Sequence, residues 1–153
     1  MPQAVPEGYR GATPYLCCRH AAEAIRFYSE AFGAREGYRL ADSSGKIGHA
    51  EIRIGEAVIM LSDEFPELGV RSPLAFGGSP VTIHVYVEDV DALASRAAAA
   101  GAKVLRPPEN QFYGDRVAKL EDPFGHLWMF ASHLEDVSEA EIRERSRKLF
   151  GQS

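Results

Sequence analysis

The chain has 153 residues, of which 45% are hydrophobic, and its 22 Asp and Glu residues outnumber its 17 Lys and Arg residues, so the formal net charge is −5. This length and composition predict one folded domain with a substantial core and exclude the fibrous and disordered classes. The acidic balance argues against a nucleic-acid partner, and no stretch approaches the roughly 20 apolar residues that would predict a membrane span.

The N-terminal segment, Met1 to Pro6, lacks the apolar core of a secretion signal, so the sequence predicts a cytoplasmic protein. The two cysteines, Cys17 and Cys18, are adjacent in a segment that alternates like a strand. Their side chains would point to opposite faces, so a disulfide between them is not expected. Reduced cysteines agree with a cytoplasmic location.

The first half of the chain predicts a strand, a helix and three further strands. The first strand lies within residues 13–20, and the helix ends at Gly33 after an apolar stripe at helical spacing. The later strands are predicted at 36–41, 48–54 and 57–62, and a tight hairpin turn separates the last two of them.

The second half repeats this order of elements. A strand at 81–87 leads into a helix that Asp89 caps through its carboxylate and that Gly101 ends. The remaining strands are predicted at 103–105, 116–121 and 126–132. A third helix begins at Ser138, where Glu141 completes a capping box.

A shift of about 69 residues brings the two halves into register. The sequence therefore predicts an α+β fold made of two βαβββ modules whose strands form curved mixed sheets. Module 1 spans about 12–63 and module 2 spans about 81–133, with a Pro- and Gly-rich linker at 64–80. The C-terminal helix follows at about 138–150.

Side-chain alternation on the strand at 81–87 separates an apolar face from a polar one. Thr82, His84 and Tyr86 share the polar face, while valines and an isoleucine share the other. The helix that follows must cover the apolar face, which leaves the polar face open. Tyr15 takes the same kind of position on the first strand. These open faces predict a polar and aromatic cavity for a small molecule, and a merely hydrated sheet face is the alternative.

Four segments in this order carry a resemblance to a known family. They contain TPYL at 13–16, AIRFY and AFGA within 24–34, VYVEDVD at 85–91 and DPFGH at 122–126. Over about residues 12–135 the sequence resembles the vicinal oxygen chelate superfamily, which includes glyoxalase I, bleomycin resistance proteins and extradiol dioxygenases. The resemblance implies paired βαβββ modules around a ligand cleft and a homodimer, in which modules often pair across subunits.

Three shorter segments are similar to the PhnB-like branch of this superfamily. They lie at 48–51, 113–116 and 122–128. The sequence is therefore expected to belong to that branch.

The resemblance also bears on a metal cofactor. Metal-dependent members of the superfamily bind a divalent ion through the first and last strands of each module, usually with two His and two Glu. By this resemblance the four positions fall at Thr13, Thr82, Met60 and Met129. Hydroxyls and thioethers are poor ligands for Zn²⁺, Ni²⁺ or Fe²⁺, so no metal cofactor is expected there. The alternative is a displaced divalent metal site formed by His49, Glu51 and His84.

Several side chains are candidates for contact with a ligand. His84 is the candidate general base or hydrogen-bond donor, and a wall residue held by a neighbouring tyrosine is the alternative. Arg116 can anchor a carboxylate or phosphate unless it pairs with Asp115 or Glu51. The set is completed by polar Tyr15 and Tyr113 and by apolar Met60, Phe76 and Met129.

Trp128 has two interpretations. Because Trp128 and Met129 are adjacent on a strand, a cavity-facing Met129 would place Trp128 in the core. The alternative is that Trp128 stacks on a flat ligand. The sequence favours the core position.

The leading functional hypothesis is binding of a small organic molecule in the module 2 cleft, for sequestration or for metal-independent chemistry. The alternative is a metal-dependent glyoxalase-like lyase, isomerase or dioxygenase, in which an ion polarises adjacent substrate oxygens. The expected partners are the small molecule and a second copy of the chain, with no nucleic acid and no membrane.

Overall fold

The computed structural model describes residues 1–151, which divide into two compact units. Unit 1 comprises Met1–Ser79 together with Pro123–His126, and unit 2 comprises Pro80–Asp122 together with the chain from Leu127 onward. Within residues 1–151, no helix is both long enough and apolar enough to cross a membrane.

Unit 1 is a four-stranded mixed sheet with one long helix. Its elements in chain order are β1 (Tyr15–Cys17), α1 (Ala21–Phe32), β2 (Arg35–Ala41), β3 (Ile47–Ile54) and β4 (Ala57–Ser62). The strand order across the sheet is β1-β4-β3-β2, and only the β1–β4 pair is parallel.

Unit 2 has the same topology. Its elements are β5 (Thr82–Tyr86), α2 (Val90–Ala100), β6 (Lys103–Asn110), β7 (Asp115–Glu121), β8 (Leu127–His133) and α3 (Glu139–Phe150). The strand order is β5-β8-β7-β6, with β5 and β8 parallel. The predicted α+β fold of two βαβββ modules and a C-terminal helix is confirmed.

The parallel strand pairs show that the internal repeat is structural. Tyr15 lies opposite Met60 in unit 1, and His84 lies opposite Met129 in unit 2. Both members of the second pair are 69 residues after those of the first, which is the shift predicted from the sequence.

The N-termini of helices α1 and α2 follow the same repeat. The backbone N–H of Ala21 donates to Asp63 at 2.9 Å, and the backbone N–H of Val90 donates to Ser132 at 3.0 Å. In each unit a side chain at the end of the last strand thus satisfies an orphan donor at the helix N-terminus. This explains how α1 begins after His20, which makes no side-chain cap.

Strand β6 is longer than the predicted 103–105, because it continues to Asn110 through Pro107 and Pro108. It is an edge strand with register shifts, and proline is tolerated where no ladder donor is needed. The predicted apolar face of β5 is also only partly covered. Val81 lies outside the strand and is exposed, while Ile83 and Val85 are half-buried.

Trp128 lies in the core of unit 2, as the sequence favoured. Its side chain is fully buried, stacks on Phe130 with ring centroids 5.9 Å apart, and donates its indole N–H to Asp122 at 2.9 Å. Met129, the next residue on β8, is only half-buried on the opposite face. The alternation of β8 therefore separates core from open face.

Gly114 ends the tight turn before β7 at a backbone φ of +99°, and a Cβ there would collide with the Glu135 carbonyl oxygen. We expect Gly114→Ala to lower the free energy of unfolding by about 2–4 kcal/mol, since backbone strain and overpacking add. Gly48→Ala is the control, because its Cβ would meet nothing nearer than 3.9 Å. Urea unfolding measures both, and equal effects would contradict this account.

Candidate functional site

The open face of the unit 1 sheet carries a chain of polar side chains. The Tyr15 hydroxyl lies 2.7 Å from Nδ1 of His49, and Nε2 of His49 lies 3.0 Å from Oε2 of Glu51. Tyr38 donates to the same carboxylate at 3.3 Å, and Tyr9 donates to its other oxygen. Side chains of β2, β3 and the N-terminal segment therefore meet at one carboxylate, and His49 links that carboxylate to Tyr15 on β1.

Glu51 is the charged centre of this group. Only 9% of the residue is exposed. Hydrogen bonds from Tyr9 and then from His49 hold the pKa of the Glu51 carboxyl below its ordinary value, despite the opposing effect of burial. Glu51 is therefore ionised at neutral pH.

The open face of the unit 2 sheet carries a second group around Asp115, which is only 4% exposed. Tyr86 donates to Oδ2 of Asp115 at 2.7 Å, and Nδ1 of His133 lies 2.8 Å from Oδ1. The other ring nitrogen of His133 lies 2.8 Å from Asp136. His84 is exposed beside Tyr86, with ring centroids 4.9 Å apart.

The hydrogen bonds set the charges in the Asp115 group. Burial would raise the pKa of Asp115, but the bonds from His133 and Tyr86 outweigh it and hold that pKa below the ordinary value. Bonds to Asp115 and then to Asp136 raise the pKa of His133. Because carboxylates only accept, the two contacts favour the imidazolium form of His133, in which both ring nitrogens donate.

Tyr86 and His133 line an open cavity of about 550 Å³. Its remaining lining residues are Val87, Glu88, Ser132 and Leu134. The Tyr86 hydroxyl donates a hydrogen bond to Asp115, so the phenol oxygen can still accept one. The cavity therefore has a defined polar wall.

Unit 1 has a cavity of about 440 Å³ at the start of α1, and two of its acidic lining residues, Asp63 and Glu64, already accept hydrogen bonds. Arg19 pairs with Glu64 at 2.6 Å, and this hydrogen bond lowers the pKa of Glu64 to about 2. Asp63 accepts from two backbone amides, those of Ala21 and Ile47.

The structure places most of the predicted ligand-binding residues on these open faces. Tyr15 and Met60 are neighbours in unit 1, and His84 and Met129 are neighbours in unit 2. Tyr113 lies half-buried in the turn before β7, where burial and then the Asp115 charge raise its pKa. Phe76 is 67% exposed in unit 1 and packs on the Arg71 guanidinium, 5.6 Å away.

Arg116 lies on the other face of the unit 2 sheet. Its guanidinium binds both carboxylate oxygens of Asp91 on α2, at 2.7 and 2.9 Å, and the Asn110 side chain at 2.9 Å. The prediction that Arg116 forms an ion pair with Asp115 or Glu51 is therefore wrong. Because Asp115 and Arg116 are adjacent on β7, alternation turns Asp115 to the open face and Arg116 to the helix side.

The side chains at the four positions that the resemblance implies for a metal are poor ligands for a divalent ion. Their donors are the hydroxyls of Thr13 and Thr82 and the thioethers of Met60 and Met129. In the described part of the chain, residues 1–151, no three His, Cys, Asp or Glu side chains are grouped to hold a metal ion. Of the alternative set, His49 and Glu51 belong to unit 1, where they bond to each other, and His84 belongs to unit 2.

Four polar residues of the two faces were not among the sequence candidates. From the sequence, Asp115 was considered only as a partner of Arg116, and His133 was not a candidate. The two lie directly opposite each other on β7 and β8. Extending the predicted strand 116–121 back by one residue, and the predicted strand 126–132 forward by one residue, would have placed both side chains on the open face. For Tyr9 and Tyr38, which bind Glu51, the sequence holds no comparable signal.

The His133–Asp115 pair makes stability depend on pH. The raised pKa of His133 contributes stability that is complete below its ordinary value of 6.5 and is lost as the pH rises through the folded-state value. The lowered pKa of Asp115 contributes stability that is complete above its ordinary value of 3.8. The pair should therefore stabilise the fold most between these two values.

We expect His133→Gln to destabilise the protein in that pH window and to have a vanishing effect at alkaline pH. Denaturant unfolding of both proteins across a pH series measures the difference. A difference that grows as the pH rises would show that His133 is not held as an imidazolium.

Comparisons with known proteins agree with this architecture. A family model described as the Glyoxalase/Bleomycin resistance protein/Dioxygenase superfamily matches residues 12–130. An uncharacterized protein of Mycobacterium tuberculosis is 43% identical over 134 residues, covering 86% of this chain and 79% of the relative. An uncharacterized protein of Mycobacterium bovis is also 43% identical, with 86% of this chain and 88% of the relative covered.

Solved structures show the same fold. TioX from Micromonospora sp. ML1 superposes with a TM-score of 0.64 at 26% identity, covering 84% of this chain and 99% of TioX. A gene product of Arabidopsis thaliana gives 0.63 at 26% identity, over 80% and 98% of the two chains. The fosfomycin resistance protein FosX from Mesorhizobium loti gives 0.59 at 20% identity, over 86% and 96%, which is a likeness of fold alone.

Proposed function

Because the chain belongs to the Glyoxalase/Bleomycin resistance protein/Dioxygenase superfamily, we propose that it binds a small organic molecule on the open face of unit 2 without a metal ion. The observation that carries this proposal is the buried Asp115 carboxylate, which fixes Tyr86 and His133 at the wall of the 550 Å³ cavity. A buried carboxylate that fixes the orientation of two side chains at a cavity wall preorganises that wall for a ligand.

The donors and acceptors indicate what the ligand carries. Tyr86 offers an acceptor oxygen, and the exposed imidazole of His84 lies beside it. Met129, opposite His84 in the sheet, supplies an apolar and polarizable surface. A flat molecule with at least one hydrogen-bond donor fits this combination.

The metal-independent part of the proposal rests on donor chemistry. The four positions that would hold the superfamily's ion carry two hydroxyls and two thioethers, which do not suit a catalytic divalent metal. The alternative of a metal-dependent glyoxalase-like enzyme requires His49, Glu51 and His84 to act together. Native mass spectrometry after dialysis against divalent metal ions separates the two.

Superfamily membership also supports three further proposals. The protein acts in the cytoplasm, it forms a homodimer, and it belongs to the PhnB-like branch. Size-exclusion chromatography with light scattering tests the dimer directly.

Native mass spectrometry of the untreated protein tests ligand binding. We expect an adduct of a small organic molecule that is lost in the Tyr86→Phe/His84→Ala double variant and is retained in Tyr38→Phe, a matched change in unit 1. Loss of each neutral hydrogen bond should weaken affinity by about tenfold, so the double variant should bind roughly a hundredfold more weakly. An adduct that survives the double variant unchanged would place the site elsewhere.

A further inference from the structure

The hydrogen-bonded chain of unit 1 shares no residue with the proposed ligand site of unit 2. We propose that Tyr15, His49 and Glu51 form a proton relay that removes a proton from the acidic hydroxyl of a small molecule bound on the open face of unit 1. This proposal does not rest on ligand binding by unit 2, because every residue in it belongs to unit 1.

Glu51 sets the direction of the relay. As a carboxylate it only accepts hydrogen bonds, so Nε2 of His49, 3.0 Å away, must donate to it. In the neutral imidazole Nδ1 is then the acceptor, and the Tyr15 hydroxyl, 2.7 Å away, must donate to Nδ1. The phenolic proton of Tyr15 therefore already points toward the base.

Tyr15 is the end of the relay that a substrate can reach. The residue is 53% exposed, whereas Glu51 at the far end is 9% exposed. Burial of part of the ring raises the pKa of Tyr15, so the phenol stays protonated at neutral pH and passes a proton on.

The transfer balances without any other reactant. The substrate O–H bond breaks as the substrate proton moves to the Tyr15 oxygen. The original Tyr15 O–H bond breaks as the phenolic proton of Tyr15 moves to Nδ1 of His49. The products are a substrate oxyanion, a neutral Tyr15 and an imidazolium paired with the Glu51 carboxylate. Tyr15 is the catalytic residue in this scheme, and His49 and Glu51 act through it.

The surrounding rings indicate a flat substrate. Tyr15 and Tyr38 flank the His49 ring with centroid separations of 5.4 and 5.7 Å. Both tyrosines are about half exposed, so their ring faces are available for offset stacking. An aromatic or enolic molecule with an acidic hydroxyl matches this surface.

The tautomer of His49 is the first test. Nitrogen-15 NMR of the wild-type protein at neutral pH should show His49 protonated at Nε2 alone. Glu51→Gln should change that signature, and Glu51→Asp should restore it. A His49 ring protonated at Nδ1 alone, or at both nitrogens, would overturn the proposal.

The transfer itself is tested with p-nitrophenol, a flat acidic hydroxyl whose absorbance reports its ionisation. At about one pH unit below the pKa of the free dye, roughly nine-tenths of it is protonated. We expect dye bound to the wild-type protein to show an ionised-to-protonated ratio at least about tenfold higher. Tyr15→Phe and His49→Gln should return the ratio to that of the free dye.

His20→Asn is the control, since it replaces a histidine of the same unit at a left-handed position that asparagine tolerates. It should leave the bound ratio unchanged. The proposal is overturned by bound dye that is no more ionised than free dye, by equal ionisation in Tyr15→Phe, or by absence of saturable binding at millimolar dye.

Discussion

Trp128→Ala is expected to lower the free energy of unfolding by about 3–5 kcal/mol, a large part of the stability of an ordinary domain. Trp128 is fully buried and stacked on Phe130, so the alanine leaves a large cavity. The change also removes the indole hydrogen bond to Asp122, which is 4% exposed. Both effects act in the same direction.

Far-UV circular dichroism should follow the unfolding, because Trp128 is the single tryptophan of the chain. Trp128→Phe keeps ring packing but loses the N–H donor, and it should cost about 1–3 kcal/mol. Met129→Ala, one residue further on the open face, should cost less than Trp128→Ala. A Trp128→Ala protein within about 1 kcal/mol of wild type would contradict the core position.

The second large effect is expected from Asp115→Asn. Tyr86 and His133 bind different oxygens of Asp115, and asparagine replaces one of these oxygens with an NH2 donor, so one of the two donors loses its acceptor. Charge-assisted hydrogen bonds contribute about 1.5–3 kcal/mol, so we expect ligand affinity to fall by roughly ten- to a hundredfold. The pKa of His133 should fall in the same variant.

Calorimetric titration with the co-purified molecule measures the affinity, and a histidine NMR titration measures the pKa of His133. Asp91→Asn is the matched control, because Asp91 pairs with Arg116 on the helix side of the same sheet. It should leave both quantities unchanged. A His133 pKa that is insensitive to Asp115→Asn would show that the buried carboxylate does not organise this face.

Much of the fold could be predicted because its signals are local. The apolar stripes, the Asp89 and Ser138 caps and the alternation of the strands each depend on a few neighbouring residues. The 69-residue shift extended these signals to the whole chain, and the equivalent pairs Tyr15–Met60 and His84–Met129 confirm it. The length of β6 was missed because proline breaks a central strand but not an edge strand.

The site was predicted less completely because its contacts join distant residues. Arg116 binds Asp91 across 25 residues, and His133 binds Asp115 across 18. No local pattern selects these partners among several carboxylates of equal chemistry. Alternation alone could have excluded Arg116 from the open face, provided that the start of β7 were placed at Asp115.

The central claim is that ligand binding on the open face requires no metal. The most direct test is a native mass spectrum recorded after dialysis against excess Zn²⁺ and then against metal-free buffer, repeated with Ni²⁺, Mn²⁺ and Fe²⁺. We predict far less than one ion per chain and an organic adduct that persists. One tightly held ion per chain, lost in His84→Ala and in His49→Ala, would contradict the account and establish the metal-dependent alternative.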